Sequence, residues 1–425
     1  VERSFFLFTN EMNIITILIL FTFLVISGKM AKDLIHPAVI TSALWSTLLL
    51  IYNTLDHGLY QLSDKFYCAI LLWVIPFCIV TLFLGKVKMS LPVCIGIPNK
   101  KVIDFLYPLM IASLIIAIYG LYLKGYYYNS DNIFNGIRAA GVASLNGEEE
   151  EFHYPFYISL ASGLASYALV VLLALFSYKK KTLTFIFFVV LIIVFFLFRS
   201  NKTVMAQLMF AFLVIGLLTK KISYKKVILF LAVGVILMLA SHLLRSKDSS
   251  EFDFIRFIAI YLLAPLPGFD AMLNTHYDFI NSFHGEYTFR FFVPYLQLFG
   301  INVEGNPDPF NLYNWTNTPL PVNVYTAMFS YYIDFGFGGI FIFSVLTGAF
   351  WGVLYKYAKL QYPIFQNLYA ILFYILAFQF FSDYLFQFLG ANVATILFAI
   401  WIYSHVTFLH IHKRLDYGFN NYRKL

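Results

Sequence analysis

Charge is scarce in this chain. Asp, Glu, Lys and Arg make up 12% of its 425 residues, where soluble domains carry about 25%. That shortage excludes an ordinary water-soluble globule. Cysteine is scarcer still: Cys68, Cys78 and Cys94. An odd number, with two inside one apolar run, argues for packing and against a disulfide framework or a metal site. The histidines His153, His276 and His284 have no metal-ligand spacing. There is no Asp-x-Asp pair of the kind that holds the metal of a sugar nucleotide; Glu251-Phe-Asp253 is the nearest approach. No glycine loop of the phosphate-cradling type occurs. No internal repeat is found, which counts against transporter folds built from inverted repeats.

What the chain has in abundance is apolar surface. Hydrophobic residues make up 60% of it and the mean hydropathy is +0.76. The apolar runs fall near 13–28, 37–52, 66–85, 105–123, 155–177, 183–198, 203–219, 227–243, 335–355, 364–382 and 384–409. Each is long enough to cross or nearly cross a hydrocarbon core of about 30 Å as a helix. The last two are nearly continuous and are divided at Ser382-Asp383, because one helix over both would be far too long. The first run follows the acidic Glu11 and lacks a basic leader, so it reads as an uncleaved first helix. The expectation is an all-α, polytopic membrane protein of about eleven spans. Residues 1–425 then form a single transmembrane domain, with 244–334 as a large loop within it.

The charges orient these spans. Alternate connectors carry Lys29 and Lys32; Lys86, Lys88, Lys100 and Lys101; Lys179 to Lys181; Lys220, Lys221, Lys225 and Lys226; Lys356 and Lys359; and Lys413, Arg414, Arg423 and Lys424. These connectors hold 19 basic residues against three acidic ones, whereas the rest of the chain holds 10 basic and 19 acidic. The positive-inside bias places the first set in the cytoplasm. The N-terminus is then outside and the C-terminus inside. The net charge of +7 is therefore a topology signal. Scattered over connectors, it makes no nucleic-acid footprint.

The polar residues gather on the outer side. Arg199-Ser-Asn-Lys202 joins two spans through only four residues, so Arg199 sits near headgroup depth. It either snorkels to lipid headgroups or docks a lipid-linked phosphate, a task suited to the planar guanidinium fork. Arg245 follows the next outward span, and His242 lies three residues before it, on the same helix face. Lys202 shares the hairpin with Arg199, and Arg138 lies on the other long outer loop, 124–154. Such a cluster suits an anionic head group; unrelated interfacial cations are the plain alternative. Carboxylates for a general base are Asp270, Glu286, Asp334 and Asp383, although for each alone a solvated or structural carboxylate is the plainer account. Asp334 ranks first because it opens a span, with Asp270, which follows Pro265-Leu-Pro267-Gly268, where a helix is expected to end. The run from Pro307 to Asn317, which includes Trp315, mixes ring faces with amides. Rings stack on sugar C–H faces and amides bond hydroxyls, although a stiff loop packed on its own aromatics accounts for the run equally well.

The segment Asn323-Val-Tyr325-Thr-Ala-Met-Phe-Ser-Tyr-Tyr-Ile-Asp334-Phe-Gly-Phe-Gly-Gly339, the hairpin Phe198-Arg199-Ser200-Asn201-Lys202 and the placing of Arg245 together resemble the Wzy-type polymerases of O-antigen and capsule repeat units. The resemblance in layout covers nearly the whole chain; the motifs are short. It implies a GT-C-like helical fold in the bacterial inner membrane with the active site facing the periplasm. It also implies glycosyl transfer from an undecaprenyl-pyrophosphate-linked glycan to a second lipid-linked unit, without metal or other cofactor. Arg199, Arg245 and Arg138 would neutralise the pyrophosphate. Asp270, Asp334 or His242 would activate the acceptor hydroxyl. Lys202, Asn323, Tyr325 and Trp315 would line the substrate. The implied partners are the two lipid-linked glycans, membrane lipid and a chain-length regulator protein, with no nucleic acid. Two rivals are an O-antigen ligase, which differs in acceptor, and a lipid-linked oligosaccharide flippase or transporter, which binds the same phosphate without chemistry.

Overall fold

The computed structural model describes residues 2–87, 98–146, 152–178, 183–199, 202–223, 226–227, 229, 236, 254–274, 285–301, 316–317 and 321–403. The described residues are helical almost throughout. In order the helices are α1 (Glu2–Ala31), α2 (Pro37–Thr54), α3 (Asp64–Lys86), α4 (Lys100–Tyr128), α5 (Ile133–Asn146), α6 (Phe156–Ala165), α7 (Ala168–Tyr178), α8 (Leu183–Phe198), α9 (Lys202–Leu218), α10 (Phe254–Ile258), α11 (Pro265–Asn274), α12 (Val293–Leu298), α13 (Met328–Lys359), α14 (Pro363–Ala377) and α15 (Leu389–Tyr403). A two-residue antiparallel pair, Thr316–Asn317 with Pro321–Val322, is the extended element among the described residues.

Helices stand where the apolar runs stand, apart from 227–243, most of which lies outside the described residues. Five stretches are long and apolar enough to cross a membrane: Met12–Ala31, Asp64–Lys86, Lys100–Tyr128, Phe156–Phe176 and Met328–Lys359. This is an all-α membrane protein. Leu183–Phe198, Thr203–Leu218, Pro363–Ala377 and Leu389–Tyr403 are equally apolar but shorter. At 1.5 Å per residue a 15-residue helix reaches roughly 22 Å.

Two compact units are formed from interleaved parts of the chain. The first comprises 1–87, 248–356 and 374–392, and α1, α2 and α3 pack on one another within it. One face of α13 sits on α3 through small residues at four-residue spacing: Ser344, Gly348 and Gly352. Ser344 Oγ donates to the Trp73 carbonyl at 2.5 Å. A side chain on Gly348 would stand 3.1 Å from the Phe77 carbonyl oxygen, and one on Gly352 would stand 3.2 Å from Thr81 Cα. Lys356 closes the row by donating to the Leu84 carbonyl at 3.2 Å. Lipid tails are as apolar as leucine, so helices in a bilayer associate through close backbone approach of this kind. α13 is broken at Gly336, whose φ of 62° and ψ of −155° belong to a region open essentially to glycine alone.

The second unit comprises 88–247, 357–373 and 393–425. In it α4 carries α5, α6 and α8. Asparagines build the turn from α4 to α5. Asn129 Oδ1 accepts the amides of Asp131 (3.1 Å) and Asn132 (2.9 Å), and Asn132 Oδ1 accepts the Asn135 amide at 3.1 Å. These are the Asx-turn and N-cap bonds that this side chain supplies.

Two local expectations need correcting. Pro265-Leu-Pro267-Gly268 does not end a helix but opens α11, directly after a π-helical turn over Ala259–Leu263. Proline is at home in a first helical turn, where the amide it lacks has no partner to lose. Gly268 is needed there because a side chain would meet Val322 Cγ1 at 2.9 Å. The second correction concerns the final helix, which begins at Leu389 and not at 384. Asp383 Oδ1 caps a turn by accepting the amides of Leu385 and Phe386, each at 3.1 Å. Asn392 then ties the turn down through the Tyr384 and Leu385 carbonyls at 2.8 and 2.9 Å.

Candidate functional site

Two of the cations expected to hold an anionic head group, Arg138 and Arg199, belong to the second unit. Arg199 follows the last residue of α8 and is exposed, with its guanidinium carbon 5.7 Å from the Phe195 ring centroid. The neighbouring Phe198 ring contacts Phe134 of α5 at a centroid distance of 5.4 Å. Arg138 lies one helical turn beyond Phe134, so it shares that face of α5, and it too is exposed. α5 therefore brings Arg138 to the end of α8 that Arg199 occupies. Lys202 is the first residue of α9, three residues beyond Arg199 in the same connection. Lys124, near the end of α4, stands 5.8 Å from the Tyr154 ring centroid. The α4–α5 turn brings it to the same end; sequence reasoning passed it over because it looked like an ordinary helix-terminal lysine. Arg245, His242 and Trp315 lie outside the described residues.

The carboxylates belong to the first unit, and each has its own surroundings. Asp270 on α11 is buried. Its Oδ2 accepts the Ser63 amide at 2.9 Å, and its Oδ1 accepts the Ser63 hydroxyl and, at 3.2 Å, Asn274 Nδ2. Burial pushes this carboxyl above the usual carboxylate range, while Ser63, Asn274 and the Lys65 charge pull it back. Asp334 lies in the first segment of α13, six residues after the helix begins and two before its break. Its two oxygens accept the backbone amides of Tyr287 (3.3 Å) and Thr288 (2.7 Å). Both side chains are tied to backbone amides of another segment, so both act as anchors. Glu286 is buried. Of the residues expected to line substrate, Asn323 is half-buried and Tyr325 is buried, with its ring stacked on Phe329 at 4.7 Å.

Asp383 differs from both. It is almost fully buried, 2% exposed, in the non-helical 378–388 turn between α14 and α15. Oδ1 is used by the two turn amides, the Tyr331 hydroxyl hydrogen-bonds the carboxylate, and Oδ2 is closed off from solvent. Burial raises this carboxyl to about 7, against the opposing pull of the Phe386 amide, the Tyr331 hydroxyl and the Leu385 amide. Asp383 lines a partly open cavity of about 20 Å3, together with Trp73, Tyr331, Gln379, Ser382 and Tyr384. That is room for roughly one water-sized group.

The other polar atoms around this cavity are spoken for. Gln379 Oε1 accepts both indole N–H groups, Trp73 at 2.6 Å and Trp45 at 3.1 Å, and its Nε2 donates to Thr41 Oγ1 at 3.0 Å and to the Leu376 carbonyl at 2.9 Å. Ser382 donates to Gln387 at 2.9 Å. The Trp73 and Tyr331 rings stack at 5.7 Å, 19° apart. Among the described residues no three His, Cys, Asp or Glu side chains converge. Comparisons of the chain with protein families, with curated proteins and with solved structures find no match.

Proposed function

We propose that this protein polymerises lipid-linked oligosaccharide repeat units of an O-antigen or capsule at the periplasmic face of the bacterial inner membrane, in an eleven-span, GT-C-like fold. The observation that carries the reading is the contact of Phe134 on α5 with Phe198 at the end of α8, which sets the exposed Arg138 and Arg199 on neighbouring elements of the second unit. Cations held at headgroup depth match a pyrophosphate that the lipid anchor delivers to the same depth. In the reaction the bond from the anomeric carbon of the growing glycan to its pyrophosphate oxygen breaks, and the electron pair leaves with the pyrophosphate. A hydroxyl oxygen of the incoming lipid-linked unit forms the new glycosidic bond and gives its proton to a base. Arg138, Arg199 and Arg245 stabilise the charge that develops on the leaving group, because preorganised cations in a water-poor site favour the transition state over the ground state.

The test is chain length in cells. Arg138→Ala, Arg199→Ala or Arg245→Ala should collapse the glycan ladder to single units while the protein still reaches the membrane. Arg199→Lys should restore little, since a point charge cannot reproduce the planar fork. Wild-type ladders from all three alanine variants would remove the arginines from the reaction. Loss of glycan attachment to its final acceptor with normal chain length would favour the ligase reading.

A further inference from the structure

We propose that residues 290–301 form an interfacial membrane element, whose exposed face lies among the lipid chains of the leaflet at the Lys65 end of α3. The proposal stands apart from the polymerase reading and concerns part of the stretch expected as a large loop, 244–334. From Phe291 to Ile301 the chain reads Phe-Phe-Val-Pro-Tyr-Leu-Gln-Leu-Phe-Gly-Ile, without a charge. Val293 is buried and Phe291 packs against Gly390, and these two hold the segment to the first unit. Phe292, Tyr295 and Ile301 are exposed, and Leu298 and Phe299 are 82% and 83% exposed. So much apolar surface in one short segment is rare in water. At a bilayer interface it is ordinary, with aromatic rings at the headgroup edge. The backbone suits that setting too. Pro294 lacks an amide in the first turn of α12, where none is needed. At the other end Gly300, with a φ of 75°, donates to the Gln297 carbonyl at 3.0 Å, and the Ile301 amide donates to the Leu296 carbonyl at 3.1 Å. This glycine cap occupies carbonyls that would otherwise need water, which is what hydrocarbon demands of a backbone.

The register of two helices gives the depth. Between Lys65 and Lys86, α3 holds 20 uncharged residues, about 30 Å at 1.5 Å per residue, which is the thickness of a hydrocarbon core. α13 runs parallel to it and in step: Ser344 meets Trp73, Gly348 meets Phe77 and Gly352 meets Thr81. Trp73 lies eight residues past Lys65, about 12 Å inside that boundary. Phe343, next to Ser344, shares this level, since its ring stacks on Tyr331 and Tyr331 stacks on Trp73. The Phe289 ring stands 5.9 Å from the Phe343 ring and 6.1 Å from the Phe386 ring. Phe289 is therefore seated on the apolar side of the Lys65 level, and 290–301 continues from it. Phe341, Ile342 and Leu346 of α13 are exposed, as the lipid face of a span is. Two of them directly precede Phe343, so the segment emerges beside that face. This continuity selects lipid over a soluble partner. Arg290, half-buried at the start of the segment, has a stem long enough to carry its charge to the headgroups.

The experiment uses the full chain with Cys68, Cys78 and Cys94 replaced by serine. Phe299→Cys carries an environment-sensitive fluorophore, and the protein sits in nanodiscs of phosphatidylcholine and phosphatidylglycerol. Two quenchers are compared: phosphatidylcholine with a nitroxide near the glycerol end of its acyl chain, and iodide in the water. The emission should be blue-shifted and quenched several-fold more strongly by the nitroxide lipid than by iodide. Strong quenching by iodide with little by the nitroxide lipid would put this face in water and overturn the proposal. Little quenching by either would mean that protein covers it, a further segment of this chain or a second copy, and would overturn it as well. Should Phe299→Cys not fold, the same label at Leu298→Cys decides by the same outcomes. The measurement needs neither substrate nor turnover, so its failure leaves the polymerase reading where it stands.

Discussion

Asp334 accepts the Thr288 backbone amide at 2.7 Å, across 46 residues of chain. The bond fixes the entry of α13 to the turn that precedes α12. Both partners are buried, and the Tyr287 amide adds a second bond at 3.3 Å to the same carboxylate.

That geometry makes Asp334 an anchor, and its replacement should read as instability. Asp334→Ala leaves two buried amides without an acceptor, at about 1–3 kcal/mol each. We expect a clear drop in thermal midpoint in detergent and reduced yield. Asp334→Asn, which keeps one acceptor, should fall between the two. An alanine variant as stable as wild type would show that the two bonds contribute nothing.

The contact of α13 with α3 gives a graded test. Gly348→Ala needs the Phe77 backbone to yield by a few tenths of an ångström, since the added carbon would stand 3.1 Å from its carbonyl oxygen. Gly348→Leu forces the helices apart, and overpacking of this kind costs about 1–3 kcal/mol or more. Alanine should be tolerated with a small loss of thermal midpoint, and leucine should give aggregated material in size-exclusion chromatography. Equal behaviour of the two would contradict close helix contact at this position.

The orientation proposed from the lysine pattern can be checked in intact cells. An impermeant thiol reagent should label Thr318→Cys and leave Lys180→Cys and Lys221→Cys unmodified, in a background lacking the native cysteines. Labelling at Lys180→Cys would reverse the arrangement.

The helical, membrane-embedded character was legible in the sequence because bilayer solvation writes it there, as apolar runs of span length. The close seat of α13 on α3 was not legible. Ser344, Gly348 and Gly352 carry the four-residue spacing, but only the partner helix gives that spacing meaning. The same limit applied to the carboxylates. Asp270 and Asp334 stood out by position, next to a Pro-Gly turn and at a span entry, and those positions are where a chain needs an acceptor for backbone amides. Asp383 looked like a break between spans, which it is. Its burial beside Tyr331 became visible only once α3 and α13 closed around it. Arg138 and Arg199 are 61 residues apart, and no periodicity links them; the contact of Phe134 with Phe198 does.

The most direct measurement supplies the purified protein with undecaprenyl-pyrophosphate repeat units alone, with a chelator present and no sugar nucleotide. In the proposed reaction the leaving group carries its own activation and arginines neutralise it, so the account predicts a ladder of extended lipid-linked glycans under these conditions, with little loss from chelation. Polymer that appears only after addition of a divalent ion or a sugar nucleotide, or lipid translocation without any transfer, would contradict it.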